Sequence, residues 1–210
     1  MWLAALGGRM RQQMCFLLEV DRLKSVIRGN RVADGSRREN TAEHSWHLAL
    51  FAMVLAEYAA ETIDVGRVVR MLLLHDLVEI DAGDTPLFDQ AGAATQAVRE
   101  RAAADRIFVL LPEDQRDGFR GLWEEFEAAE SADARFAKAI DRLQPILLNH
   151  AAGGGTWSDY GVDEQRERTL TQRIALGSPE LWAVAEVVLA DAVECGWLLP
   201  GAGPDPGSST

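Results

Sequence analysis

The stretch Met71-Leu72-Leu73-Leu74-His75-Asp76-Leu77-Val78 sets two ionisable side chains in the middle of an otherwise apolar run. A helix that is apolar on every side belongs in a core, and a charge placed there is costly unless something compensates it. One metal cation compensates both residues, because Asp76 offers a hard oxygen and His75 a nitrogen. Neighbouring helical residues point about 100° apart, so both reach one ion only if it lies between their directions near the helix surface. The same pair also reads as a core histidine bonded to a backbone carbonyl with Asp76 as a buried ion-pair partner. Taken alone, so short a motif does not choose between the two.

Two other helical stretches supply the rest of the argument. His44, Leu48, Phe51 and Leu55 recur at i, i+4, i+7 and i+11, which puts His44 on the core side of its helix. Asp141 lies among Phe136, Ile140, Leu143 and Leu147, with Ala137 and Leu148 on its own side. Pro145 has no N–H for the Asp141 carbonyl, so a kink is expected there. Three core helices therefore each turn a ligand-type residue inward. A His₂Asp₂ set leaves two positions of an octahedral ion open for water and substrate, as a catalytic site requires.

The rest of the chain reads as an all-α, single-domain helical bundle. A first helix fits Arg11 to Ile27, ended by Gly29-Asn30, and a polar loop follows to Glu39. Asn40 and Glu43 have capping-box spacing and open a helix to about Glu61. Asp64 caps a helix ending near Asp81-Ala82-Gly83, before an Asp84-Thr85-Pro86 turn. Further helices fit Gln90 to Leu111, Glu113 to Ala129, Ser131 to His150, and Asp163 to Ala175, with a last one from Ser178-Pro179-Glu180 to Gly196. No stretch reads convincingly as a strand. The domain spans residues 1–200, with a core over about 17–150, C-terminal helices over 163–197, and a disordered Gly-, Pro- and Ser-rich tail over 201–210.

Composition narrows the function. A net charge of −12 argues against a nucleic-acid polymer as partner. Positive charge is nonetheless concentrated in Arg22, Lys24, Arg28, Arg31, Arg37 and Arg38, with Asp34 the only acid among them, which suits a small anionic ligand. Most of that stretch reads as a solvated loop. Cys15 and Cys195 make no disulfide framework. Trp2 to Leu6 is too short for a signal peptide, and the apolar run Val68 to Leu74 is interrupted by Arg70, so the expected location is cytoplasmic, with no membrane association. His47 reads as a supporting histidine, and His150 as a group near a helix C-terminus. Trp46, Trp123, Trp157, Trp182 and Trp197 read as core or interface aromatics, with a substrate lid as the other possibility for Trp157.

The order His44, His75-Asp76, Asp141 resembles the HD-domain metal-dependent phosphohydrolases, and its surroundings resemble their 5′-deoxynucleotidase branch. The matching pieces are Leu23-Lys24 with Arg28, Arg38-Glu39-Asn40-Thr41-Ala42-Glu43-His44-Ser45, and His75-Asp76-Leu77-Val78-Glu79. Asp84 after Gly83, and Ala139-Ile140-Asp141-Arg142-Leu143-Gln144-Pro145, complete them. The resemblance implies that His44, His75, Asp76 and Asp141 ligate one divalent ion (cobalt or manganese, with iron, nickel, zinc and magnesium as other candidates). It also implies a homodimer that hydrolyses nucleoside 5′-monophosphates, with Glu79 and Asp84 as catalytic acids and Arg28 on the substrate. Glu79 lies four residues after His75, in reach of a water it could deprotonate. Asp84 could donate a proton or hold a sugar hydroxyl, and Arg28 could clamp the phosphate. Bacterial deoxynucleotidases carry a tryptophan after the substrate arginine that helps reject a 2′-hydroxyl. Here Gly29 follows Arg28, so ribonucleotides are expected substrates too. Two other readings stay open. One is hydrolysis of a different phosphoester, such as a guanosine polyphosphate alarmone or a cyclic nucleotide; the other is a helical scaffold without turnover.

Overall fold

The computed structural model describes residues 2–201, without the side chains of Gln90, Ala91 and Ala93; the tail segment 202–210 lies outside the described residues. Among the described residues the regular structure is helical apart from one short ribbon and an isolated bridge between Asp163 and Leu199, which keeps the all-α class. The first helix, α1 (Gly8–Val20), stops earlier than its apolar spacing predicts. A 3₁₀ turn over Asp21–Ser25 follows, and the chain then extends as β1 (Ile27–Arg31), paired antiparallel with β2 (Arg38–Asn40). The expectation of no strand fails here. Strands of five and three residues, rich in arginine, show no readable alternation, and their stability lies in the ladder bonds each gives the other. Gly29-Asn30, expected to end a helix, lies inside β1 instead. The pleat places Arg28 and Asn30 on one side of this strand.

The ribbon leads directly into α2 (Thr41–Leu55). Its start is the expected capping box: Glu43 N–H donates to Asn40 Oδ1 at 3.0 Å, and Asn40 N–H donates to Glu43 Oε2 at 3.2 Å. This helix ends short of Glu61. α3 (Val65–Leu74) is capped by Asp64, which accepts from the Arg67 N–H at 3.1 Å. The expected continuous helix to Asp81 is broken. Residues His75–Val78 tighten into a 3₁₀ turn before α4 (Glu79–Ala82), and Gly83, at φ +74°, ends the segment in a conformation that disfavours any Cβ. Such a turn between two helical pieces re-aims its side chains relative to a regular helix.

α5 (Gln90–Phe108) and α6 (Glu113–Ala128) pack with α1 around Phe16, Ile107, Phe108 and Trp123. α7 (Ala132–Ala151) runs through the larger core, against α2, α3, α6, α10 (Ile174–Gly177) and α11 (Pro179–Glu194). Pro145 sits inside α7 without ending it. Ile140, Leu143 and Ile146 are buried there with Leu48, Met71 and Leu72. Each such side chain removed from water stabilises the fold by about 1.5–3 kcal/mol. One short helix was not expected, and the helix expected over Asp163 to Ala175 is split in two. α8 (Gly155–Tyr160) follows the glycine run directly, and α9 (Glu164–Thr171) is separate from α10. A Cβ on Gly155 would collide with Asn149, so this glycine lets α8 lie against α7 and carry Trp157 wholly into the core. Trp157 is thus a core aromatic and not a lid. Trp46 is 61% exposed, outside the core that its reading allowed. His150 pairs with Asp191 at 2.5 Å.

Candidate metal centre and pocket

Three structural elements bring the expected ligands together. α2 supplies His44, the 3₁₀ turn supplies His75 and Asp76, and α7 supplies Asp141. His44 Nε2 lies 3.1 Å from Asp141 Oδ1 and 3.8 Å from Asp76 Oδ2. His75 Nε2 lies 3.1 Å from Asp76 Oδ1 and 3.6 Å from Asp141 Oδ1. Ligands about 2.1 Å from one octahedral ion stand roughly 3 Å apart along each edge, so these separations suit a shared cation. His44, His75 and Asp141 each offer an atom within 4.8 Å of the others.

Hydrogen bonds at the far side of each imidazole set its orientation. His75 Nδ1 donates to the Leu72 carbonyl at 2.8 Å, and His44 Nδ1 donates to Gln144 Oε1 at 3.2 Å. Both rings therefore turn an unprotonated Nε2 toward the carboxylates when neutral. His75 Nε2 is buried and makes no hydrogen bond, although a carboxylate oxygen stands beside it. Lone pair facing lone pair is a repulsive arrangement that a cation converts into an attractive one. The residues fit a divalent ion.

The electrostatics agree. Burial pushes His75 down, but Asp76 and Asp141 outweigh it and raise its pKa to about 10, so in the absence of a metal a proton is the cation these acids draw in. Burial pushes Asp76 up, but His75, Arg28 and His44 hold it at about 2. Asp141 is held well below the ordinary range by His44 and His75, again against the effect of burial.

Arg28 from β1 reaches over this cluster. Its Nη1 is 3.0 Å from Asp76 Oδ2, 3.5 Å from Asp84 Oδ1 and 3.7 Å from Glu79 Oε1, while its Nε is buried without a partner. Asp84 is fixed by the Gly29 N–H at 3.2 Å. Glu79 accepts from Thr41 Oγ1 at 2.8 Å, and burial first, then the charge of Asp76, raises its pKa well above the usual carboxylate range. All seven residues singled out from sequence therefore meet in one place.

Sequence reasoning did not assign roles to the next layer. Gln144 ties His44 to Glu39, donating to Glu39 Oε1 at 2.9 Å, and its amide also lies 3.2 Å from His47 Nδ1. His47 is accordingly a supporting histidine, as expected. The signal was present in the spacing, since Gln144 follows Asp141 by three residues and shares its helix face. The cluster forms the floor of a pocket of about 400 Å³ lined also by Phe88, Lys138, Asn149, Thr156 and Glu167. That is within the range of small-ligand sites.

Comparison with known proteins follows the same lines. The family model for the HD domain matches residues 20–182. Human 5′-deoxynucleotidase HDDC2 is 35% identical over 142 residues, which cover 67% of this chain and 68% of the human protein. A 5′-deoxynucleotidase of Enterobacter sp. (strain 638) is 28% identical over 172 residues, 77% of this chain and 84% of that one. The crystal structure of a "Predicted metal-dependent phosphohydrolase" from Magnetospirillum magnetotacticum MS-1 superposes with a TM-score of 0.86 at 51% identity, covering 91% of this chain and 99% of that one. With the family's match spanning most of its length and the ligand-type residues gathered at one point, the chain belongs to the HD-domain family.

Proposed function

We propose that this HD-domain enzyme is a metal-dependent phosphohydrolase that removes the 5′-phosphate from ribo- and deoxyribonucleoside monophosphates, releasing nucleoside and inorganic phosphate. The observation that carries the reading is the buried, unpartnered Nε2 of His75 facing two carboxylates at the floor of a pocket, with the Arg28 guanidinium beside them. His44, His75, Asp76 and Asp141 would hold one divalent ion, which when bound supplies Lewis-acid charge and a more acidic water.

The chain's own residues divide the remaining work. Arg28 stays charged, because the surrounding acids outweigh the penalty of burial, and its guanidinium neutralises the phosphate. Glu79, desolvated and steadied by Thr41, takes the proton of the attacking water. As the P–O5′ bond breaks, the leaving oxygen needs a proton, and Asp84, held by the Gly29 N–H, stands in the same pocket to manage it or to hold a sugar hydroxyl. Gly29 supports acceptance of both sugars. A Cβ there would meet Thr156 at 3.5 Å and Pro86 at 3.7 Å, so these two residues, and not a tryptophan, form that wall.

The reading places the enzyme in the cytoplasm as a homodimer. Two free cysteines suit a reducing compartment, and no helix among the described residues is long and apolar enough to cross a membrane. The exposed Trp46, Leu50, Met53 and Val54 along α2 suit a subunit contact. The experiment is phosphate release from a panel of ribo- and deoxyribonucleoside 5′-monophosphates with cobalt, manganese, iron, nickel, zinc and magnesium in turn. Release that chelation abolishes is expected. Protein that binds no stoichiometric ion and releases no phosphate overturns the reading.

A further inference from the structure

Asp84 stands on the link between α4 and α5, where the chain has no helix or ladder to fix a carboxyl in space. Within the link, the Asp89 N–H donates to the Pro86 carbonyl at 2.8 Å, and Asp89 Oδ1 caps α5 by accepting the Gly92 N–H at 3.0 Å. Neither bond reaches the Gly83-Asp84 end. From β1, the Gly29 N–H reaches Asp84 Oδ2 at 3.2 Å, and Arg28 Nη1 stands 3.5 Å from Oδ1. Those contacts meet the carboxyl and not the backbone that carries it.

That backbone is held by Arg99, from α5. Its Nη1 donates to the Ala82 carbonyl, just before Gly83, and its Nη2 donates to Thr85 Oγ1 at 3.0 Å, just after Asp84. A longer bond of 3.4 Å runs from Nη2 to the Gly92 carbonyl. The first two bracket Gly83-Asp84, and Gly83, at φ +74°, turns the chain between them. The bracket answers a local need, since Ala82 ends α4, where carbonyls lack intrahelical partners and a cation is favoured. Close packing keeps Thr85 in reach: a Cβ on Gly92 would stand 2.9 Å from the Thr85 methyl, so the link lies directly on the α5 backbone. Arg106, Arg120, Arg135 and Arg168 each pair with a carboxylate, whereas among the described residues Arg99 pairs with none and gives its donors to neutral oxygens. Gln96 and Glu100 of the same helix line the pocket, and Arg99 does not. Arg99 therefore acts on a ligand only through the segment it holds.

We propose that Arg99 is a positioning residue for phosphate release, setting the Asp84 carboxyl in the pocket by bracketing Gly83-Asp84 between the Ala82 carbonyl and the Thr85 hydroxyl. This rests on the nucleotidase reading above and on the part Asp84 takes in it. With the bracket gone, Asp84 keeps only its contacts from β1, and a displacement on the order of 1 Å at such a group costs up to about 10²-fold in rate. The metal-type floor takes nothing from this link, because its four residues come from α2, the 3₁₀ turn and α7. Loss of Arg99 therefore lowers turnover and leaves the ion in place.

The test is a double-mutant cycle on nucleoside 5′-monophosphate hydrolysis with manganese, using Asp84→Asn, Arg99→Met and the two together. For each, kcat, KM, bound manganese and Tm are measured. Arg99→Met is expected to lower kcat roughly 10–100-fold with KM within about threefold, and to keep stoichiometric manganese. In the Asp84→Asn background the same change is expected to cost less than about twofold, because the carboxyl it positions is no longer there. Arg99→Lys keeps one donor for the Ala82 carbonyl and recovers part of kcat. Should Arg99→Met fail to fold, Arg99→Lys runs the same cycle. Losses that multiply in the double variant, or a loss of manganese that tracks the loss of turnover, overturn the role of Arg99 alone. Wild-type kcat in Arg99→Met or in Asp84→Asn does the same. Wild-type protein that releases phosphate from no nucleotide fails before any variant is made, and that result falls on the nucleotidase reading itself.

Discussion

Asp76 and Glu167 line the same pocket and are both withdrawn from water, yet their acidities move in opposite directions. Burial pushes each carboxyl up. At the floor, His75, Arg28 and His44 surround Asp76 and reverse the effect, leaving it at about 2. In the pocket wall, Glu167 has only the Trp157 indole and Arg142 against burial, and it rises to about 7. The lesson is that neighbouring cations, not depth, decide which buried acid stays ionised. A floor of fixed anions attracts a metal, and a buried acid without close cations stays neutral.

The largest test removes one side of that contrast. Asp76→Ala is expected to lose both stoichiometric metal and turnover, with kcat/KM falling by more than the roughly 10–100-fold typical of outer residues. Metal analysis beside phosphate release checks it, and a fully active, metal-loaded variant would take Asp76 out of the site. Glu79→Ala sharpens the comparison within the floor. It should keep the ion and lose about 10²–10⁴-fold in kcat. Normal turnover would remove Glu79 from the chemistry.

A smaller effect is expected from Gln144→Ala, which touches no proposed substrate atom. Losing the partner of His44 Nδ1 should weaken metal binding by roughly 10–100-fold while the bound form still turns over. Titration with manganese distinguishes this from a direct catalytic loss.

Acid–base behaviour separates the two regions further. His75 titrates higher in the folded chain than its ordinary 6.5, at about 10, so its contribution to stability is complete below about pH 6.5 and is lost as pH rises through about 10. The metal-free protein should therefore show a falling Tm between pH 7 and 10, and saturating metal should flatten that fall by replacing the proton. Glu167 works the other way from an ordinary carboxylate. Its pKa rises on folding from 4.5 to about 7, so its contribution is intact below about pH 4.5, and stability is lost as pH rises from there through about 7. Glu167→Gln should match wild type near pH 4 and exceed it near pH 8 by about 3 kcal/mol, at about 1.4 kcal/mol for each pH unit between the two pKa values. Denaturant curves at the two pH values read the difference, and equal stability at both would show that the carboxyl is not held neutral.

The helical starts were legible because their chemistry is local. Asn40, Asp64, Ser131, Asp163 and Ser178 each cap the helix that they precede, with the side chain accepting a backbone N–H three residues on. Periodicity also turned His44 and Asp141 inward correctly. The ribbon was not legible. Ile27–Arg31 pairs with Arg38–Asn40 across a turn, and no residue within either strand announces the other. The 3₁₀ turn at His75–Val78 was equally hidden, since Leu74 through Val78 carry nothing that forbids a regular helix.

By itself, the sequence determined the helical class, most helix starts, and that His44, His75, Asp76 and Asp141 turn inward, because these follow from spacing and from the cost of burying charge, whereas Glu79, Asp84 and Arg28 entered only through the family resemblance. Tertiary structure alone decided that Arg28 stands 3.0 Å from Asp76, that Gln144 and Glu39 orient His44, and that Glu167 is buried beside the Trp157 indole. Those outcomes depend on which side chains from distant segments share one low-dielectric space, and hydrogen-bond satisfaction there is a property of the assembled fold, with no local code.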